Sequence, residues 1–213
     1  MKLSRAWLWI ATVLAIGVAV GSLRYLLPGM PGAAPTVAAN RFSGTGILVF
    51  HAGLGATALG LGALQFFPGF RARWPVWHRR AGTVYVTAVL MAGAAALVLA
   101  PGAATGPIST AGFGLLAVLW LGCTIQAWRL ARARDFVRHR RWMTRSYALT
   151  FAAVTLRLYL PVLFIAHIDF NSGYRAISFL CWIPNLIAAE LWLRYGGGVR
   201  TSPPLAAASQ IPG

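Results

Sequence analysis

The sequence predicts an all-α membrane protein with six transmembrane helices. Three observations carry that expectation. First, 58% of the 213 residues are hydrophobic and only 10% are charged. Soluble domains carry about 25% charged residues, so this chain has too few to cover a water-facing surface. Second, the mean hydropathy is +0.67. Third, the apolar residues gather in runs at roughly 6–27, 44–67, 81–100, 108–130, 142–166 and 175–194. Each run is near the ~20 residues that span a hydrocarbon core about 30 Å thick.

The first stretch follows Lys2 and Arg5 and ends before Pro28, Pro31 and Pro35. Its basic start and small Ala19 and Gly21 also suit a signal peptide, but the run continues to Leu27, long enough to span. The second stops at Pro68, and Arg71, Arg73, Arg79 and Arg80 lead into the third. Pro101 and Pro107 bracket the turn into the fourth. Arg129, Arg132, Arg134, Arg138, Arg140 and Arg141 join it to the fifth, and Arg194 and Arg200 follow the sixth. The other side holds Arg24, Arg41 and Arg175. Basic loops stay inside, so both termini are expected in the cytoplasm of a bacterial inner (plasma) membrane. Residues 1–195 read as one membrane domain and 196–213, "GGGVRTSPPLAAASQIPG", as a disordered cytoplasmic tail.

The net charge is +16. In a soluble protein that excess would point to nucleic acid. Here the arginines sit between membrane helices, so anionic lipid headgroups are the expected partner and nucleic acid is not. Cys123 and Cys181 fall within apolar runs, form no CxxC pair and read as packing residues.

A short repeat is visible. "WHRRAGTVY" (77–85) opens the third stretch and "RHRRWMTRSY" (138–147) the fifth. Each sets His-Arg-Arg at the basic edge with a tyrosine about two turns on. The pattern suggests two related hairpins, stretches 2–3 and 4–5.

Helical geometry then groups the polar residues. At 100° per residue, His51, Gly55, Ala58, Gly62 and Gln65 share one narrow face, leaving room for a neighbouring helix or a ligand. His139, Ser146, Thr150, Ala153 and Arg157 share another. Arg157 lies about 13 Å from the outer end of its helix and His51 about 10 Å from the end of its own, so the two can face a common cavity. Arg157 has no carboxylate at its level. It therefore turns outward, bonds carbonyls freed by Pro161, or meets an anionic group. Glu190 is at the right level to pair with Arg145.

His78 and His139 sit at equivalent points of the two hairpins, at one level. Two neutral imidazoles so placed can be the axial ligands of a b-type haem iron, or simply edge residues that touch lipid phosphate. His51 and His167 form a poorer outer pair, since His167 falls at the helix end. Three acids at three levels supply no carboxylate pair, so hydrolysis is not expected while a redox role is compatible.

"FHAGLGATALGLGALQF", "HRRAGTVYV" and above all "RHRRWMTRSYALTFAAVTLRLYLP" resemble a bacterial family of multipass membrane proteins catalogued as a domain of unknown function. The resemblance covers residues 44–165 or so and implies no activity. The layout with edge histidines is also loosely similar to transmembrane two-haem cytochromes b. Electron transfer within the membrane, to or from a quinone or another redox partner, is what that similarity implies. The alternatives from the residues are a transporter or small-molecule-binding channel, whose polar cavity holds His51, Gln65, Thr150 and Arg157, and a non-catalytic lipid-binding scaffold.

Overall fold

The computed structural model describes residues 5–23, 45–103 and 105–195. Among them every regular element is helical: α1 (Arg5–Ser22), α2 (Thr45–Gln65), α3 (Pro68–Arg73), α4 (Pro75–Leu99), α5 (Pro107–Arg132), α6 (Phe136–Thr150), α7 (Ala152–Ile165), α8 (Phe170–Leu180) and α9 (Ile183–Tyr195). Five helical spans, Gly46–Gln65, Pro75–Gly102, Pro107–Arg132, Phe136–Ile165 and Phe170–Tyr195, are long and apolar enough to cross a membrane. Trp7–Ser22 is a shorter apolar helix. The expected continuation of the first stretch to residue 27, Lys2, Arg24, Arg41, Arg200 and the 196–213 tail all lie outside the described residues.

Three helices begin earlier than apolar runs suggest. Pro75 occupies the first turn of α4, six residues before the expected start, so His78, Arg79 and Arg80 are helical rather than loop. The Asp135 carboxylate accepts the Arg138 backbone N–H at 2.9 Å and starts α6. Asp169 does the same for α8 through Ser172, also at 2.9 Å. These N-caps satisfy donors that a helix end leaves open. The polar first turns lower local hydropathy, so a hydropathy reading misses them. Both carboxyl groups are held below the ordinary aspartate value, Asp135 by the Arg138 N–H and guanidinium, Asp169 by the Ser172 N–H and hydroxyl.

The fifth and sixth stretches are also not continuous helices. The fifth breaks at Phe151, where the Val154 N–H bonds back only three residues, to Phe151 O at 2.9 Å. Around the break, side chains take up backbone carbonyls: Thr150 Oγ1 donates to Ser146 O at 3.0 Å and Arg157 Nη1 to Ala153 O at 2.9 Å. Such back-bonding bends helices. The sixth breaks after Leu180, and there Trp182 Nε1 donates to Ser178 O at 2.9 Å and Asn185 Nδ2 to Cys181 O at 3.0 Å.

Contacts define the two ends of the bundle. At one end Trp9 of α1 meets Phe67 after α2, and His139 of α6 bonds the Ala127 carbonyl late in α5. At the other, Arg175 Nε donates to Thr105 O at 2.9 Å, tying α8 to the loop before α5. The core between them is built around Tyr85, Val89, Ala92, Trp120, Leu149 and Cys181. Cys123 and Cys181 are free and buried, as packing residues should be. A second cluster of Ala15, Ala56, Leu59, Ala63 and Val154 fastens α1 to α2 and α7. Small residues let helix backbones approach closely, which supplies packing that lipid cannot replace. Large apolar side chains such as Val84, Leu115, Val118 and Phe164 remain exposed, as they should be where the solvent is hydrocarbon.

Candidate functional site

The α2 face predicted from His51 to Gln65 is filled in two different ways. At Gly62, a Cβ would lie 2.5 Å from Tyr147 Cε2 and 2.8 Å from Tyr85 Cε2, so aromatic rings from α6 and α4 occupy that groove. At Gly55, a Cβ would meet nothing within 4 Å. Gly55 instead lines a cavity of about 290 Å³, together with His51, Trp120, Thr150, Arg157 and Tyr174. The His51 and Arg157 predicted to lie at one level therefore do share a cavity.

Each polar group there has a defined anchor. His51 Nδ1 lies 2.9 Å from Ala92 O. A carbonyl only accepts, so Nδ1 carries the proton and Nε2 is left as the basic nitrogen. Arg157 Nη1 donates to Ala153 O and Nη2 to Ser22 Oγ of α1, each at 2.9 Å. The Ser22 hydroxyl can accept because its own proton goes to Val18 O at 2.7 Å. The carbonyl freed by Pro161 is that of Arg157 itself, four residues earlier, so the guanidinium does not use it. The Arg157 charge lies within electrostatic reach of His51.

Behind the cavity wall runs a buried hydroxyl network. Tyr85 OH is 2.7 Å from Ser146 Oγ and 2.9 Å from Thr150 Oγ1. Trp120 Nε1 donates to Thr150 Oγ1 at 2.8 Å, Ser146 Oγ is 2.7 Å from Thr124 Oγ1, and Thr124 donates to Trp120 O at 2.7 Å. Thr124 gives its proton to the Trp120 carbonyl, Ser146 to Thr124 and Tyr85 to Ser146, which leaves the single Thr150 proton shared between Tyr85 OH and Ser146 O. Ser146 and Thr150, expected as part of a polar stripe, are thus held by α4 and α5.

The remaining candidates gather near the arginine-rich end. His78 is within electrostatic reach of Arg71, His139 and Arg79. His139 Nδ1 donates to Ala127 O at 2.9 Å. Gln65 does not line the His51 cavity; its Oε1 lies 3.8 Å from where a Gly82 Cβ would be, one turn from His78. His78 Nδ1 and Gln65 Nε2 are the buried side-chain polar atoms, among the described residues, that have no hydrogen-bond partner. An axial imidazole normally donates its second ring N–H to a carbonyl or carboxylate. His139 makes such a bond, to Ala127 O, and His78 Nδ1 makes none.

Arg145 and Glu190 pair as expected, through Nε to Oε1 and through Nη2 to Oε2 at 3.0 Å. His167 is exposed in a turn with φ of 52°, outside any ligand pair. Among the described residues no three His, Cys, Asp or Glu side chains come together to hold a metal ion.

Residues 48–193 match the family model described as "Predicted membrane protein (DUF2306)". The chain belongs to that family. The DUF2306 segment carries His51, Gln65, His78, His139, Thr150 and Arg157. It leaves out α1, and with it the Ser22 hydroxyl on Arg157. No curated protein and no solved structure matches the chain. The DUF2306 description gives membrane location and no activity. Among the site residues that escaped the sequence reading are Phe113, Trp120, Tyr174 and Ser22. Tyr85 had a signal in its spacing from His78, whereas nothing local marks Ser22.

Proposed function

We propose that this DUF2306 protein binds a compact, mainly apolar molecule with an anionic or hydrogen-bond-accepting head inside the bilayer. The observation that carries this reading is the convergence of His51, Thr150 and Arg157 on one cavity of about 290 Å³. Small-molecule sites are largely apolar with a few convergent polar groups, and their volumes start near this size. An intramembrane arginine facing a cavity is by default a functional residue. Arg157 supplies the donors for the head, His51 Nε2 can accept from a hydroxyl beside it, and Phe113, Trp120 and Tyr174 line the space for the body.

The protein acts in a bacterial inner membrane, as six helices forming one domain over residues 1–195. Both termini face the cytoplasm, because the arginine-rich loops remain on the side of anionic lipid. Labelled benzoate, with benzyl alcohol as its uncharged counterpart, tests the cavity in protein reconstituted in nanodiscs. Saturable benzoate binding should weaken at least about tenfold in Arg157→Gln, and in Gly55→Leu, whose side chain grows into open space. If neither probe binds saturably, or both variants match the parent, the reading fails. Uptake of benzoate into liposomes separates a transporter from a binder.

A second reading has one observation in its favour, the His139 Nδ1 bond to Ala127 O. In it, His78 and His139 would hold a b-type haem, and electrons would pass to or from a quinone. The haem would supply one-electron redox chemistry, and this chain would hold the imidazoles in register. A reduced-minus-oxidised spectrum without a Soret or α band, after expression with ample haem, removes it.

A further inference from the structure

The arginine-rich end of the bundle holds two unsatisfied polar atoms that the cavity does not explain. Gln65 Nε2 and His78 Nδ1 are both buried and both without a partner. Burying such atoms is costly, and native proteins rarely leave them so without a ligand or water. Gln65 closes α2 and lies against Gly82, one helical turn from His78 on α4. The two orphans therefore sit along one seam.

The chemistry of the missing partner follows from what surrounds it. Arg71, Arg79 and His139 lie within electrostatic reach of His78. The whole chain has three acids. Asp135 is engaged by Arg138, Glu190 by Arg145, and Asp169 caps α8 at the other end. Among the described residues no carboxylate remains to answer the two orphans or the cations beside them. An amide NH₂ and an imidazole N–H among guanidinium groups select an acceptor that is also an anion.

We propose that Gln65 and His78 form a phosphate-oxyanion site at the arginine-rich edge, donating two hydrogen bonds to oxygens whose charge Arg71 and Arg79 balance. The phosphate comes from the headgroup of an anionic lipid or from a free phosphate. This site is independent of the His51–Arg157 cavity, and it competes with the haem reading for His78.

Thermal unfolding of the full chain in dodecyl maltoside, followed by tryptophan fluorescence, tests the site. Phosphatidylglycerol and inorganic phosphate are titrated separately, with diacylglycerol and chloride as the phosphate-free controls. A saturable rise in Tm with phosphatidylglycerol alone assigns the site to lipid, and a rise with both ligands assigns it to phosphate in general. Gln65→Leu and His78→Phe should each raise the half-saturating concentration at least about tenfold, the worth of one charge-assisted hydrogen bond. Without ligand both variants should melt at or above the parent temperature, since each removes an orphaned polar atom. Three results overturn the proposal: no saturable response in the parent, which leaves water alone at the orphans; variants that respond like the parent; or a haem band that His78→Phe abolishes.

Discussion

Replacing Tyr85 by phenylalanine and Thr150 by valine removes one hydroxyl each from the same buried network, yet the two changes should differ in cost. Tyr85→Phe loses bonds of 2.7 Å to Ser146 and 2.9 Å to Thr150. Neither partner is orphaned, because Ser146 keeps Thr124, and Thr150 keeps the Trp120 indole and its own bond to Ser146 O. Interhelical hydrogen bonds in membranes average about 0.6 kcal/mol and reach about 1.7, so two are worth about 1–2 kcal/mol. Thr150→Val loses its bonds to Tyr85 and Ser146 O as well, and also strips the acceptor from Trp120 Nε1, which sits on a residue only 6% exposed. An orphaned donor adds about 1–3 kcal/mol, for a total of about 2–5 kcal/mol. Equilibrium unfolding in mixed micelles of increasing dodecyl sulfate, read by far-ultraviolet circular dichroism, measures both. A Thr150→Val variant no less stable than Tyr85→Phe would falsify the network as described. A double-mutant cycle of Tyr85→Phe with Ser146→Ala should return a coupling within the same 0.6–1.7 kcal/mol range, roughly.

Other consequences follow from single contacts. Gly62→Ala pushes a methyl against the Tyr147 and Tyr85 rings and should cost about 1–3 kcal/mol, whereas Gly55→Ala meets open space and should be neutral or gain up to about 1 kcal/mol from helix propensity; equal effects would undo the packing argument. Glu190→Gln leaves Arg145, only 19% exposed, without its counter-charge. Being part-way between surface and core, the pair should cost about 2 kcal/mol to break, and an Arg145→Gln/Glu190→Gln double variant should recover part of it in the same unfolding assay. The Asp135 cap contributes stability that is fully present above the unfolded aspartate value near pH 4 and lost as pH falls through its depressed folded value. Asp135→Asn retains a cap and should flatten that acid limb; an unaltered pH profile of melting temperature would assign the limb to other groups.

Several site features were legible in one dimension because they depend only on position along a helix. His51 and Arg157 were expected at one level, and 1.5 Å of rise per residue was enough to bring them to one cavity. Arg145 and Glu190 paired for the same reason. Gln65 was misplaced because it shares a helical face with His51 but sits almost four turns away, beyond the rings that cover Gly62. Ser22 was invisible because its only distinction is where α1 ends relative to α7. The early starts of α6 and α8 were hidden by their aspartate caps and polar first turns, and that of α4 by Pro75 and the His-Arg-Arg run, which hydropathy counts as loop.

The sequence by itself determined the class of this protein: an all-helical, multipass membrane chain. Apolar run length is a one-dimensional property, and so is the clustering of arginines between runs. Which polar groups meet was decided only by the tertiary structure. Helix rotation, the break at Phe151 and the approach of α4 to α6 turn a single stripe from His139 to Arg157 into three environments. His139 anchors to a carbonyl, Ser146 and Thr150 close a hydroxyl network around Trp120, and Arg157 faces a cavity. A side chain's neighbours across a helix–helix seam depend on the partner's register, and no spacing within one helix encodes that.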